Sequence, residues 1–117
     1  MYSIKEKYLR RMEPHTKEVA ASVKELVLQY DSTATVVLFG SRARGDAAAE
    51  SDWDFLILTK EADSEKLASK LRTEIRRKVE SQWNIAISLI VKNRQVWEED
   101  YAVTNIYESI AEEGLAI

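Results

Sequence analysis

The chain has 117 residues, 45% of them hydrophobic and 32% charged, which is typical of a folded globular domain and excludes a disordered or fibrous protein. Its 17 basic and 20 acidic side chains give a net charge of −3, so extended binding to a nucleic-acid backbone is not expected. The chain has no cysteine and a single histidine, which excludes disulfides, cysteine nucleophiles, thiolate metal sites and histidine-based metal clusters.

The N-terminal segment, Met1 to Met12, carries several charges and lacks the apolar stretch of a secretion signal. No uncharged run in the chain is long enough to cross a membrane. We therefore expect a cytoplasmic protein that makes one domain over residues 1–117, without membrane association.

Two helical segments are predicted first. A short helix over Ile4 to Met12 should end before Pro14, whose ring also suits the first turn of the next helix. That second helix should end at Asp31 and Ser32. Its apolar stripe consists of Val19, Val23, Leu26, Val27 and Tyr30.

Two strands are predicted next. The β-branched and aromatic run Thr35 to Phe39 favours a buried strand that ends at Gly40. A polar loop, Ser41 to Ser51, should follow. The run Asp52 to Leu58 alternates at its start and is then apolar on both faces, as in a strand that begins at the rim of a sheet.

The second half of the chain favours a helix, a strand and two more helices. Asp63 or Ser64 can cap a helix that extends to about Gln82. The apolar residues that recur in it every four positions are Leu67, Leu71, Ile75 and Val79. Ile85 to Val91 predicts the third strand. The closing elements are a short helix over Asn93 to Asp100 and a last one capped by Thr104, with Gly114 as its C′ residue.

The segment from Val36 to Leu58 carries residues suited to nucleotide chemistry. Gly40 permits a sharp turn and close approach of the backbone to a phosphate, and the Ser41 hydroxyl can donate to phosphate oxygens. Arg42 and Arg44 add positive charge. This turn therefore favours binding of a phosphate chain.

Two carboxylates follow this turn. In a strand, Asp52 and Asp54 point to one face and Trp53 to the other, with Cα atoms of the two acids about 6.5 to 7 Å apart. Carboxylates at that separation can share Mg²⁺ ions that stabilise the attacking and leaving oxygens of a nucleotidyl transfer. A solvated sheet rim and a basic surface turn would explain each feature alone, but here they occur together beside Gly-Ser.

In order and spacing, this segment resembles the signature of the DNA polymerase beta superfamily of nucleotidyltransferases, in particular the minimal bacterial members. The matching residues are Gly40, Ser41, Arg42, Arg44, Gly45, Ser51, Asp52 and Asp54. The resemblance covers roughly residues 15–91. It implies the nucleotidyltransferase fold, an α/β (α+β) domain with a small mixed sheet of three to four strands flanked by helices.

The resemblance also implies roles. Asp52 and Asp54 would be the catalytic, Mg²⁺-binding residues, and the nucleotide-binding set would be Gly40, Ser41, Arg42, Arg44 and Ser51. AMP would pass from ATP, or another monophosphate from its triphosphate, to an acceptor hydroxyl with release of pyrophosphate. The acceptor could be a protein hydroxyl, a small molecule such as an aminoglycoside, or an RNA end. Minimal members often act as the antitoxin beside a helical HEPN-type toxin, so the resemblance allows such a partner in trans, and it also allows a homo-oligomer.

One family feature is missing. Active members usually supply a third carboxylate from the following strand, where this chain offers Ala86 or Ser88. The nearest acids in sequence are Glu80, Glu98, Glu99 and Asp100. The alternative hypothesis is therefore a nucleotide-binding interaction module that has lost catalysis.

Other prominent residues have ordinary structural interpretations. His15 is expected in solvent near a helix start, and Trp53, Trp83 and Trp97 are expected as core or edge aromatics. Tyr101 and Tyr107 could serve the core or a partner interface. The basic cluster of Arg72, Arg76, Arg77 and Lys78 is expected to be a solvated helix face rather than a nucleic-acid contact.

Overall fold

The structure, a computed structural model, describes residues 14–117, so the helix predicted over Ile4 to Met12 lies outside the described residues. The helices are α1 (Pro14–Tyr30), α2 (Ser41–Arg44), α3 (Ser64–Ile75), α4 (Ser81–Trp83), α5 (Arg94–Asp100) and α6 (Asn105–Glu113). A π-helical turn, Arg76–Glu80, joins α3 to α4. The strands are β1 (Thr35–Phe39), β2 (Trp53–Thr59), β3 (Ile87–Asn93) and β4 (Leu115–Ala116).

The four strands form one mixed sheet in the order β3-β2-β1-β4. β1 pairs antiparallel with β2 and β4, whereas β2 and β3 are parallel. A parallel pair needs a long crossover, and the helical run from α3 to α4 supplies it. The predicted fold class, a small mixed sheet flanked by helices, is confirmed.

The two faces of the sheet have separate apolar cores, because successive side chains of β2 point to opposite sides. On one face, Trp53, Phe55 and Ile57 pack against α1 and α3. On the other, Leu56 and Leu58 pack against α5 and α6. Asp54 belongs to this second face by the same alternation, so α5 and α6 cover the face that also carries the acid.

The helix caps agree with the sequence pattern. The Asp63 side chain accepts from the Lys66 N–H at 3.0 Å, and Thr104 accepts from the Tyr107 N–H at 3.2 Å. The predicted loop Ser41 to Ser51 is wrong at its start, since α2 occupies its first four residues. Glycines in positive-φ conformations at both ends, Gly40 and Gly45, bound this single helical turn.

The strand limits differ from the predicted ones. β2 begins at Trp53 rather than Asp52, and β3 begins at Ile87 rather than Ile85. Asn84, in a left-handed conformation with φ 54°, ends the preceding helix, and two more residues bring the chain to the sheet. Propensity within a run of apolar residues cannot locate such a turn.

The two-residue strand β4 was not predicted. Gly114 is extended rather than left-handed, and it lies so close to the sheet that an added Cβ would stand 2.7 Å from Cγ1 of Val37. Glycine therefore lets the chain pass directly from α6 into pairing with β1.

None of the helices within residues 14–117 is long and apolar enough to cross a membrane.

The aromatic residues lie mostly in the two cores. Trp53 and Trp97 are fully buried, as expected, and Trp83 is half-buried against the α1 and α3 side. His15 is exposed at the start of α1, with its ring edge-on to Trp53 and Trp83. The Tyr107 hydroxyl donates to Glu98 at 2.5 Å.

Candidate active site

The candidate site lies where β1 ends beside the start of β2. Phe39 is the register partner of Asp54, so the next residue, Gly40, lies against the Asp54 side chain. A Cβ on Gly40 would stand 2.5 Å from Oδ2 of Asp54, and the φ of Gly40 is +72°. Only glycine fits this position, because a side chain would both strain the backbone and displace the carboxylate.

The helical turn α2 starts directly after Gly40. The Gly40 carbonyl accepts from the N–H groups of Ala43 and Arg44, both at 3.1 Å. The N–H groups of the first helical turn, which include those of Ser41 and Arg42, have no acceptor within the helix. Together with the half-buried Ser41 hydroxyl, they form a set of donors suited to phosphate oxygens.

The two acids and Ser88 lie together on one face of the sheet. Asp54 and Ser88 are register partners across the parallel β2–β3 pair, and the Ser88 hydroxyl donates to Oδ2 of Asp52 at 3.4 Å. Ser88 therefore stands beside both carboxylates. Ala86 contributes a main-chain carbonyl instead, which accepts from the Trp53 N–H at 2.9 Å.

The charge state of Asp54 reflects its surroundings. Burial raises the pKa of this half-buried carboxyl, and the negative charge of Asp52 raises it further. The positive charge of Arg44 lowers the pKa but offsets only part of the increase. A cation between the two carboxylates would remove their repulsion, so the pair favours metal binding over two bare charges.

The donor set fits Mg²⁺ held jointly with a nucleotide. Within residues 14–117, no three histidine or acidic side chains gather closely enough to hold a metal by themselves. Mg²⁺ in nucleotide sites is commonly bound by one or two carboxylates, phosphate oxygens and water. Asp52 and Asp54 fit the protein share of that coordination.

The other acids considered from the sequence have local partners. Glu80 accepts from the Ile87 N–H at 2.9 Å and so caps the start of β3. Glu98 accepts from the Tyr107 hydroxyl, and Glu99 accepts from the Gln95 amide at 3.2 Å. Asp100 is exposed at the end of α5. None of the four joins Asp52 and Asp54 in a three-acid cluster of the described chain.

Arg42 holds the loop between α2 and β2. Its Nη2 donates to the carbonyls of Ala49, at 3.1 Å, and Ser51, at 3.0 Å. Its guanidinium also lies 4.4 Å from the ring centroid of Trp53. The Ser51 hydroxyl accepts from the Ala48 N–H at 2.9 Å and closes the turn before Asp52. Arg42 and Ser51 therefore position the start of β2, where Asp52 and Asp54 lie.

Arg44 is more exposed and faces the C-terminal helix. It pairs with Asp46 at 3.1 Å and with Glu113 of α6 at 3.1 Å. Glu113 is not recognisable from the sequence by any local signal, because 69 positions separate it from Arg44. The last helix thereby reaches the predicted phosphate-binding turn.

Two comparisons with known proteins agree with this geometry. A family profile described as the nucleotidyltransferase domain matches residues 16–117. A protein of Methanocaldococcus jannaschii that carries the name "putative protein adenylyltransferase" is 39% identical over 66 residues, which make up 56% of this chain and 66% of the relative. This chain thus aligns with slightly less than two thirds of that relative. The family profile also takes in α5, α6 and β4, beyond the segment whose motifs were recognised from sequence.

Proposed function

The chain belongs to the nucleotidyltransferase domain family, and from that membership we propose a Mg²⁺-dependent enzyme that transfers AMP from ATP to a protein hydroxyl. The family supports transfer of a nucleoside monophosphate in general. The observation that most strongly supports the proposal is the contact between Gly40 and Asp54. It puts a turn suited to phosphate directly against a carboxylate suited to a metal.

Each site residue has a role in the proposed reaction. The turn at Gly40 and Ser41 binds the β and γ phosphates, and Asp52 and Asp54 hold Mg²⁺ together with triphosphate oxygens. The bound ion supplies charge stabilisation at the phosphate oxygens. Arg44, released from Glu113, balances negative charge on the leaving pyrophosphate.

The transfer exchanges one phosphorus–oxygen bond for another. The acceptor oxygen forms a bond to the α-phosphorus while the bond to the β-phosphate oxygen breaks, and pyrophosphate leaves with that electron pair. In an enzyme with three acids, the third carboxylate would accept the proton of the acceptor hydroxyl. Here Ser88 occupies that position beside Asp54, so the proton passes to solvent. We therefore expect slower transfer than an enzyme with three acids would give.

The relative's name is the support for a protein acceptor. As the partner in trans we propose a separate helical protein of the HEPN type, with this chain as its antitoxin, in the cytoplasm. Such a partner would supply the acceptor hydroxyl.

Ser88 also supports a second candidate function. With a hydroxyl in place of the third acid, the site would bind ATP and Mg²⁺ without turnover, as a nucleotide-responsive interaction module. Both functions require the same binding residues, so only a transfer assay separates them.

The test is single-turnover transfer from α-labelled ATP with Mg²⁺ and the candidate protein partner. We expect labelled partner and pyrophosphate, both lost in Asp54→Asn and kept in Asp100→Asn, which removes an exposed acid of α5. ATP binding is followed in parallel by thermal melts. If wild type and Asp100→Asn bind ATP but neither transfers AMP, the result favours the interaction module.

A further inference from the structure

A groove of about 400 Å³ runs along the open edge of the sheet. Its walls come from α3 and the π-helical turn on one side and from β3 on the other. Its lining includes Arg72, Arg76, Glu80, Ile87, Ser88 and Leu89. β3 is the outer strand of the sheet, so its far edge faces this groove.

The main chain of β3 presents hydrogen-bonding groups to the groove. The Trp53 N–H donates to the Ala86 carbonyl, and in a parallel ladder this directs the peptide groups of Ser88 toward β2. Those of Ile87 and Leu89 therefore point outward. Glu80 accepts from the Ile87 N–H at 2.9 Å, in agreement with that direction. Within residues 14–117 no fifth strand pairs with the outward groups of Leu89.

Two arginines line the same groove. Arg72 and Arg76 are exposed and lie four residues apart on one helical run. Among the described residues, the ion pairs of this run join Glu74 to Arg77 and Lys78, and neither groove arginine takes part in one. The carboxylate that lines the groove, Glu80, already accepts from the Ile87 N–H. An open strand edge beside two guanidinium groups that have no ion pair within residues 14–117 is suited to an extended, acidic ligand.

Ser88 connects the groove to the candidate active site. It lines the groove, and its hydroxyl lies 3.4 Å from Oδ2 of Asp52. We propose that the groove binds the acceptor as an extended acidic polypeptide segment, which adds to β3 as a fifth strand and pairs its carboxylates with Arg72 and Arg76. This inference rests on the proposed function, because that function makes a protein hydroxyl the acceptor.

Two other occupants fit the groove less well. A second copy of this chain that paired through its own β3 would bring a second Arg72 and Arg76 toward the first, and like charges across an interface destabilise it. A nucleic-acid strand would satisfy the arginines but leave the outward peptide groups of Leu89 unpaired. An acidic polypeptide satisfies both sets of groups.

The test measures peptide binding by fluorescence anisotropy without nucleotide. The probes are a labelled nine-residue peptide with glutamates alternating with threonines around a central tyrosine, the same peptide with lysines for glutamates, and a version N-methylated at alternate residues. A 12-nucleotide single-stranded RNA is the fourth probe. The proteins are wild type, the double variant Arg72→Gln/Arg76→Gln, and Arg77→Gln as a same-type control outside the groove.

We expect the glutamate peptide to bind wild type and Arg77→Gln, with affinity reduced about tenfold or more in the double variant. Lysine substitution or N-methylation should weaken binding by a similar factor. Equal binding of the glutamate and lysine peptides, no effect of the double variant, no effect of N-methylation, or arginine-dependent binding of the RNA alone would each overturn the proposal.

Stabilisation of each variant by ATP and Mg²⁺ in thermal melts shows that the fold and the nucleotide site are intact. Because the anisotropy assay needs no nucleotide, a protein that binds the peptide but transfers no AMP supports the groove and counts against the proposed function. A protein that transfers AMP to a helical partner, but whose transfer is insensitive to the double variant, overturns the groove and leaves that function in place.

Discussion

Two aspartates, Asp54 within β2 and Asp31 packed against the other end of that strand, show two different environments for a buried carboxylate. At the C-terminal end, Asp31 is 2% exposed, yet it accepts four hydrogen bonds. They come from the Thr33 N–H at 2.9 Å, the Thr33 hydroxyl at 2.6 Å, the Thr59 hydroxyl at 2.6 Å and the Lys60 N–H at 3.1 Å. At the N-terminal end, Asp54 is half-buried beside Asp52, and among residues 14–117 no donor hydrogen-bonds to it.

The pKa shifts of the two groups have opposite signs. Burial by itself raises the pKa of Asp31, but the hydrogen bonds from Thr33, Thr59 and Lys60 outweigh it and hold that pKa well below its usual range. Burial and the Asp52 charge raise the pKa of Asp54. A buried charge whose partners all come from the fold stabilises the fold, whereas one left without donors is available to a ligand.

The largest expected effect is the loss of activity in Asp54→Asn. Removal of one metal-binding carboxylate should lower the rate of AMP transfer by about 10³-fold, as loss of a group that stabilises transition-state charge does. The free energy of unfolding should be unchanged or slightly higher, because repulsion from Asp52 disappears. Single-turnover transfer and urea unfolding measure the two quantities. A large loss of stability would mean that Asp54 supports the fold as Asp31 does.

The converse substitution, Asp31→Asn, should act on stability. The amide can accept on only one of its two groups, so donors at Thr59 or Thr33 lose their partner. We expect the free energy of unfolding to fall by about 2–4 kcal/mol. Urea unfolding measures it, and Asp63→Asn, which keeps the capping oxygen at an exposed position, serves as the control. An equally large loss of stability in both variants would contradict the conclusion that the hydrogen-bonded, buried carboxylate of Asp31 stabilises the fold.

Ser88→Asp adds a third carboxylate beside Asp52 and Asp54. It should raise AMP transfer by roughly 100-fold, the lower end of what general-base catalysis typically contributes, without tightening ATP binding. Ser88→Asn is the matched control without charge. Pyrophosphate release and ATP titration distinguish the two effects. Strong wild-type transfer that the added acid does not improve would show that another group, such as a carboxylate of the partner, fills this role.

The smallest effects are those of pH. Asp54 has a raised pKa, so protons compete with the metal there, and stabilisation by ATP and Mg²⁺ should decline as the pH falls through that raised pKa. At about 100 times its dissociation constant the ligand adds about 2.7 kcal/mol at neutral pH. Asp31 has a lowered pKa, so its contribution to stability is complete above the unfolded value of about 3.9 and is lost as the pH falls below it.

Thermal melts from pH 7 to pH 3, with and without ATP and Mg²⁺, separate the pH range in which ligand stabilisation is lost from the range in which the stability of the free protein is lost. The ligand-dependent part should disappear at a higher pH than the stability of the free protein does. Stabilisation by ATP that persisted with excess chelator would contradict the metal assignment of Asp52 and Asp54.

Features that depend on near neighbours can be predicted from the sequence alone. The turn at Gly40 and Ser41, the paired acids Asp52 and Asp54, and the caps Asp63 and Thr104 all act within a few residues, where spacing and residue type set the geometry. The family signature combines such local features, which is why it could be recognised before the fold was known.

Which distant groups meet depends on how the elements pack in three dimensions. Asp31 was predicted as no more than the residue that ends a helix, because its partner Thr59 lies 28 positions away. The choice of Ser88 over Ala86 followed from the register of β3, and the capping role of Glu80 followed from where that strand begins. A carboxylate becomes structural or available to a ligand according to the donors that folding brings to it, and a linear sequence does not contain those distances.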